Sequence, residues 1–401
     1  MRDTIRGAAL VYGLLAAMSS LLVALLLVVL AVIGDGLPPL MGVTLLVSLI
    51  AMGVGLGAPL ALAAWASLQR RASPRLALPP AWWLALLFVG LLMLGQLVLG
   101  TRLNILFLPP LHVVASLLPP LLIVAAITPA MQRAGARLTR RHLVAQFAFG
   151  GLAGTLAAIL LELGVILFAM AGAGAGVALL PGGAGSIEQL ARKLQSASLV
   201  GDPVGLVLSL LSPGLVLGLG LLVALAIPLL EETVKSLGAW IGGVVQGRLT
   251  RAHAFAFGVI AGVGFSFTEA LFYGAQQLPH GWAGAVLLRG LTAVIHGAAT
   301  GLFALGWYEV IAGRPARFFL YAAGGVGLHA AWNGLSGLAA LAGLGALDSL
   351  NPAAQMASGA VAVLAAGLLA VTWLIALAVL IHQTRQVSAR LDSASRAGRD
   401  A

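Results

Sequence analysis

Cysteine is absent from the 401 residues, so no disulfide framework or thiolate metal site can form, and any metal has to be held by histidine and carboxylate. Redox compartment therefore leaves no signature in this sequence. Charge is scarce too: Asp, Glu, Lys and Arg make up 8% of the chain, against roughly 25% in soluble domains. Acidic residues number only 12, and lysine occurs twice, at Lys193 and Lys235, beside 20 arginines. The net charge of +10 is not gathered on one face but falls in short clusters between apolar runs, which is the positive-inside pattern of membrane proteins and excludes nucleic acid as the partner. What fills the chain instead is apolar: 61% hydrophobic residues and a mean hydropathy of +1.06 make the lipid bilayer its solvent.

A spanning helix needs about 20 mainly apolar residues. Ten stretches qualify, at about 8–33, 40–68, 82–101, 105–128, 143–172, 213–246, 253–274, 282–311, 318–343 and 357–381. The expected fold is thus all-α, a polytopic transmembrane helix bundle of about ten spans. Residues 1–34 read as a retained first span, because the apolar run is too long for a signal-peptide core and lacks a small-x-small cleavage site. Placing both termini in the cytoplasm puts 17 of the 22 basic residues there, in the loops at Arg70–Arg75, Arg133–Arg141, Arg248–Arg251 and Arg314–Arg317 and at the two ends. In span 105–128 the pairs Pro109-Pro110 and Pro119-Pro120 predict a kinked or re-entrant segment.

Five regions follow from this pattern: an N-terminal four-span region of unknown role (1–142), a fifth span with an external loop (143–212), a four-span catalytic core (213–343), a tenth span (344–382) and a basic cytoplasmic tail (383–401). Within the loop, Ser186 to Gln189 form a capping-box start for a short helix to about Ala197, able to lie over a site or to serve as a plain connector. The tail reads as disordered beside anionic headgroups. No internal repeat relates the two halves.

Charges inside spans are costly and are functional hypotheses by default. Span 213–246 carries Glu231, Glu232 and Lys235; Glu231 and Lys235 fall on one helical face, and Lys235 is the one lysine placed at membrane depth. Phe265 and Glu269 share a face of the next span, where the ring can restrict water. Gly258, Gly262 and Gly264 precede them and suit close helix approach rather than chemistry. Arg289 and His296 share a face of the eighth span, and His329 and Asn333 stand at i, i+4 in the ninth. Depth ties the four together. At ~1.5 Å per residue, Glu231 lies about 25 Å from Arg248, Glu269 about 25 Å from His253, His296 about 27 Å from Arg314 and His329 about 18 Å from Arg317. All would meet in the outer half of the membrane.

Glu231-Glu232-x-x-Lys235, Phe265-x-x-x-Glu269, the stretch from Arg289 to His296, and His329-x-x-x-Asn333 resemble the ordered motifs of the PrsW family of intramembrane proteases, related to the CAAX prenyl endopeptidase and bacteriocin-processing superfamily. Lys235 and Glu269 distinguish this pattern from the CAAX branch. The resemblance covers about residues 213–343 and implies cleavage of a membrane-anchored protein within or near its transmembrane helix, in the bacterial cytoplasmic membrane.

Two mechanisms are open. Glu231 can act as general base on a water, with His296 or His329 orienting it and Asn333 stabilising the oxyanion. Alternatively, His296, His329 and a glutamate hold zinc, with another glutamate as base. The lack of a His-Glu-x-x-His motif favours the glutamate mechanism and no cofactor. Intramembrane acids, lysine and histidine also suit a proton-coupled transporter or channel, and an inactive scaffold that binds membrane proteins is the third class. Glu162 is readable as a lone carboxylate meeting water or a partner helix, although it could line the same cavity. His112 among prolines reads as structural, and Glu309, His253, His280 and His382 as interfacial.

Overall fold

The computed structural model describes residues 1–33, 39–178, 222–348 and 352–397, and these are helical apart from short connections. The order is α1 (Arg2–Ile33), α2 (Pro39–Leu68), α3 (Ala81–Leu99), α4 (Asn104–Arg133) and α5 (Arg140–Ala148), joined by a π-helical turn (Phe149–Gly154) to α6 (Thr155–Ala178). A second π-helical turn (Leu222–Ala226) leads into α7 (Ile227–Gln246), α8 (Arg251–Gln276), α9 (Trp282–Ile311), α10 (Ala316–Asp348) and α11 (Pro352–Ala397). Every expected span coincides with one helical stretch, α5 to α6 forming the fifth and the second π turn with α7 the sixth. Residues 213–221 of the expected sixth span, and the expected loop helix at Ser186 to Ala197, lie outside the described residues.

Eight of the described stretches are long and apolar enough to cross a membrane. The other two, α7 and α10, are those that carry Glu231, Glu232 and Lys235, and His329 and Asn333. The chain is a polytopic all-α helix bundle.

At its centre stands α8, buried along nearly its whole length and packed against α9, α7, α4, α5, α2 and the first π turn. Its glycines are the points of closest approach, as their spacing predicts. A methyl at Gly262 would overlap the His296 carbonyl, one at Gly264 the Phe147 carbonyl, and one at Gly258 would lie 2.6 Å from the Thr300 carbonyl. The first π turn makes the same kind of contact, since a methyl at Gly150 would overlap the Ala261 carbonyl. Widening a turn loosens its own ladder. Here Thr155 Oγ1 donates to Gly150 O at 3.1 Å and Thr268 Oγ1 to Gly151 O at 2.7 Å.

The proline-rich segment is one continuous spanning helix, α4, and not a re-entrant loop. Prolines at 109, 110, 119, 120 and 129 each remove a ladder bond, yet the helix persists because it is packed by α8, α2, α9 and α3. His112 has the structural part expected of it: fully buried, its Nε2 donates to Leu271 O at 2.8 Å while Nδ1 accepts from Trp282 Nε1 at 3.1 Å.

Three readings change. Glu309 is not solvated at an interface but fully buried, accepting from Arg251 Nη1 at 2.6 Å and Arg314 Nε at 2.6 Å, with Arg317 at 3.8 Å; it ties the ends of α8, α9 and α10 together. Its hydrogen bond holds Arg314, in the α9–α10 connection, above the ordinary arginine value. His253 is likewise buried, with Nδ1 2.8 Å from the Thr250 hydroxyl, whereas His280 and His382 are exposed as expected. Finally, α11 continues helical through Ala397 instead of ending in a disordered tail, because nothing after Gln383 breaks a helix before Gly398.

Candidate active site

The site begins on α7, where Pro228 in the first turn pre-sets the helix. Helical spacing then stacks Glu231 and Glu232 one turn before Lys235. Lys235 Nζ lies 2.5 Å from Glu232 Oε1 and 3.1 Å from Glu231 Oε2, and neither Lys235 nor Glu232 reaches solvent. From α9, His296 brings Nδ1 to 3.0 Å from the same ammonium. From α8, Phe265 lays its ring 4.4 Å from Nζ and 5.4 Å from the His296 ring, closing the site on that side.

Each histidine rests on its own carboxylate. His296 Nε2 is 2.7 Å from Glu269 Oε2, and His329 Nδ1 is 2.8 Å from Glu232 Oε1. A carboxylate only accepts, so these nitrogens carry the protons and the lone pairs fall on His296 Nδ1 and His329 Nε2. The rings stand edge to face with centroids 4.6 Å apart, and His329 Nε2 is 3.7 Å from Glu231 Oε2. Thr300, one turn beyond His296, donates to Glu232 Oε2 at 2.6 Å. Arg289 Nη1 is 3.6 Å from Glu269 Oε1 and lies over the Tyr273 ring at 4.2 Å. Glu269 and Arg289 are partly exposed, while Glu231, Glu232, His296 and His329 are buried.

The structure therefore brings together Glu231, Glu232, Lys235, Phe265, Glu269, Arg289, His296 and His329. Asn333 stands apart from that bonded network: it is half-buried, one turn beyond His329, and makes no hydrogen bond among the described residues. Two further residues belong here. Thr300 was legible as an i+4 neighbour of His296. Glu162, read as a lone carboxylate, lies on α6, which packs against α7 and its Glu231.

Glu231, Glu232, His296 and His329 each offer one ligand atom, all within 4.8 Å of one another, a donor set of carboxylate and imidazole able to hold a metal ion. The family model described as PrsW family intramembrane metalloprotease matches residues 139–366, more than half the chain and all of the helices that carry these residues. Neither the curated proteins nor the solved structures contain a match. The helix bundle, the buried polar centre and the matched span place this chain in the PrsW family of intramembrane metalloproteases, and it is accordingly an integral membrane protease.

Proposed function

We propose that the chain hydrolyses a peptide bond of a membrane-anchored protein, within or beside its transmembrane segment, with His296 Nδ1, His329 Nε2 and Glu231 holding a divalent metal, zinc. One observation carries this reading: His296 Nε2 and His329 Nδ1 are each committed to a carboxylate, so the lone pairs fall on His296 Nδ1, 3.0 Å from the Lys235 ammonium, and on His329 Nε2, 3.7 Å from Glu231 Oε2. Metal-binding histidines are oriented by this same arrangement. When bound, zinc supplies Lewis-acid polarisation of a carbonyl and a water acidic enough to react near neutral pH.

The protein's own groups do the rest. Glu232, fixed by Thr300 and Lys235, keeps His329 in one tautomer. Glu269 does so for His296 and is steadied by Arg289. Phe265, packed over Lys235 and beside His296, limits water there. Asn333, unpaired among the described residues, is free to donate its amide to the substrate's carbonyl oxygen. We also place both termini in the cytoplasm and the protein in the bacterial cytoplasmic membrane, on the distribution of loop arginines.

A second reading keeps Glu231 as a general base without metal, and the Lys235 contacts favour it, because the protein then provides its own cation for the two carboxylates. Metal analysis of purified active protein separates them. About one zinc per chain, lost together with activity under strong chelation and absent from His296→Ala, supports the metal reading. Activity that survives with well below one zinc per chain reverses the choice.

A further inference from the structure

At the end of the bundle where the loop arginines gather, α1 meets α7 beside a cleft of about 320 Å³, lined among others by Arg2, Trp240, Val244, Arg248, Leu249 and Ile311. The first helix packs along α2 and reaches α7 here, where Arg2 lies directly over Gly247. Glycine is required at that position: its φ of +85° is left-handed, and a methyl would overlap the Arg2 guanidinium. The negative end of the α7 dipole draws Arg2 into place.

The cleft has two characters. Its rim carries Arg2 and Arg248, both exposed, and neither makes a hydrogen bond or ion pair among the described residues. The carboxylates nearby are taken, Asp3 by Arg6 at 2.8 Å and Glu309 by Arg251, Arg314 and Arg317. Its wall is apolar, with Trp240 47% and Ile311 55% exposed. Trp240 precedes Arg248 by eight positions, ~12 Å at the helical rise. Each interfacial layer of a bilayer is roughly 5–8 Å deep, so that distance runs from headgroup level into the top of the hydrocarbon. Two unpaired guanidinium groups above an aromatic and aliphatic wall match a phosphate joined to fatty chains. A free phosphate would leave the wall uncovered, and the chain's own arginine-bearing C-terminal segment is repelled by the rim.

We propose that this cleft binds one anionic glycerophospholipid, its phosphate against Arg2 and Arg248 and its glycerol and upper acyl chains along Trp240 and Ile311, so that a lipid bridges α1 and α7. Anionic lipids gather in the cytoplasmic leaflet, the side to which the loop arginines assign this end of the bundle. The proposal does not depend on the chemistry of the buried site.

The test places the full-length chain in nanodiscs of phosphatidylcholine with rising fractions of phosphatidylglycerol, one lipid or the other carrying brominated acyl chains that quench nearby tryptophan. Comparison with Trp240→Phe isolates the Trp240 signal from that of the other tryptophans. In wild type, brominated phosphatidylglycerol should quench Trp240 at fractions several-fold below those that brominated phosphatidylcholine needs. An arginine near anionic lipid contributes about fivefold in binding, so Arg248→Gln should lower the preference by about that factor. Arg2→Gln combined with Arg248→Gln should remove it, while quenching by brominated phosphatidylcholine stays at the wild-type level and shows the fold intact. If the double variant loses both signals, the single variant decides. Arg70→Gln with Arg71→Gln, the same charge taken from another loop, should leave the preference unchanged. Wild type without a preference would overturn the proposal, as would a double variant that keeps it. An equal loss in the Arg70 and Arg71 variant would also overturn it, since surface charge alone would then set the preference. So would displacement of the lipid by inorganic phosphate, which would make the cleft a phosphate site instead.

Discussion

The ammonium of Lys235 lies 3.0 Å from His296 Nδ1, on the ring nitrogen that faces away from Glu269. A protein cation thus already uses the lone pair that a metal would need, and it shares Glu231 and Glu232 as well.

Competition follows from that geometry. Removing one partner of a buried ion pair typically costs about 3–5 kcal/mol, because the other charge is left uncompensated. Lys235→Met should therefore melt well below wild type without metal, and zinc should raise its melting temperature more than it raises that of wild type. Thermal unfolding with and without zinc reads this directly. Equal zinc shifts in the two proteins would show that ammonium and metal do not compete.

Glu231→Gln and His329→Ala should each lower cleavage of a single-span substrate by about 100-fold or more while the protein still inserts and elutes as a folded species. Each removes a group that holds the metal or activates water. Near-normal turnover by Glu231→Gln would mean that the role given to this carboxylate is wrong.

The Glu309 cluster predicts a loss of stability that is separate from chemistry. Glu309 is fully buried with Arg251 and Arg314 each at 2.6 Å. Glu309→Ala should destabilise the protein, chiefly by leaving the mostly buried Arg251 without its carboxylate, and unfolding should begin at the ends of α8, α9 and α10. Hydrogen exchange localises the opening. Exchange confined to helices far from Glu309 would contradict it.

Much of the site was legible because its chemistry follows helical arithmetic. Glu231 and Lys235, Phe265 and Glu269, and His329 and Asn333 all stand at i, i+4, and the loop arginines gave each helix a depth scale. Those rules carry no information about angles between helices. That Glu269 belongs to His296, and Glu232 to His329, depends on how α8, α9 and α10 pack around α7. Glu162 was discounted for the same reason: a single carboxylate on a helix has no intrahelical partner to reveal it. The π turns escaped because a Gly-rich stretch such as Phe149–Gly154 reads equally well as ordinary helix. Glu309 went the other way. Its place at a span end suggested water, whereas tertiary packing surrounds it with three arginines.

Those arginines also turn the bundle into a measuring device. Glu309 and His296 lie on the same helix, 13 positions or about 20 Å apart, and the guanidinium groups around Glu309 favour the level of anionic headgroups. A rigid rod with a charged foot holds its upper parts at constant height above the membrane surface. On the function proposed above, such a site should select where to cut by its distance from that surface. Lengthening a substrate's helix on the footed side should therefore move the cut along the sequence by the number of residues added, whatever those residues are.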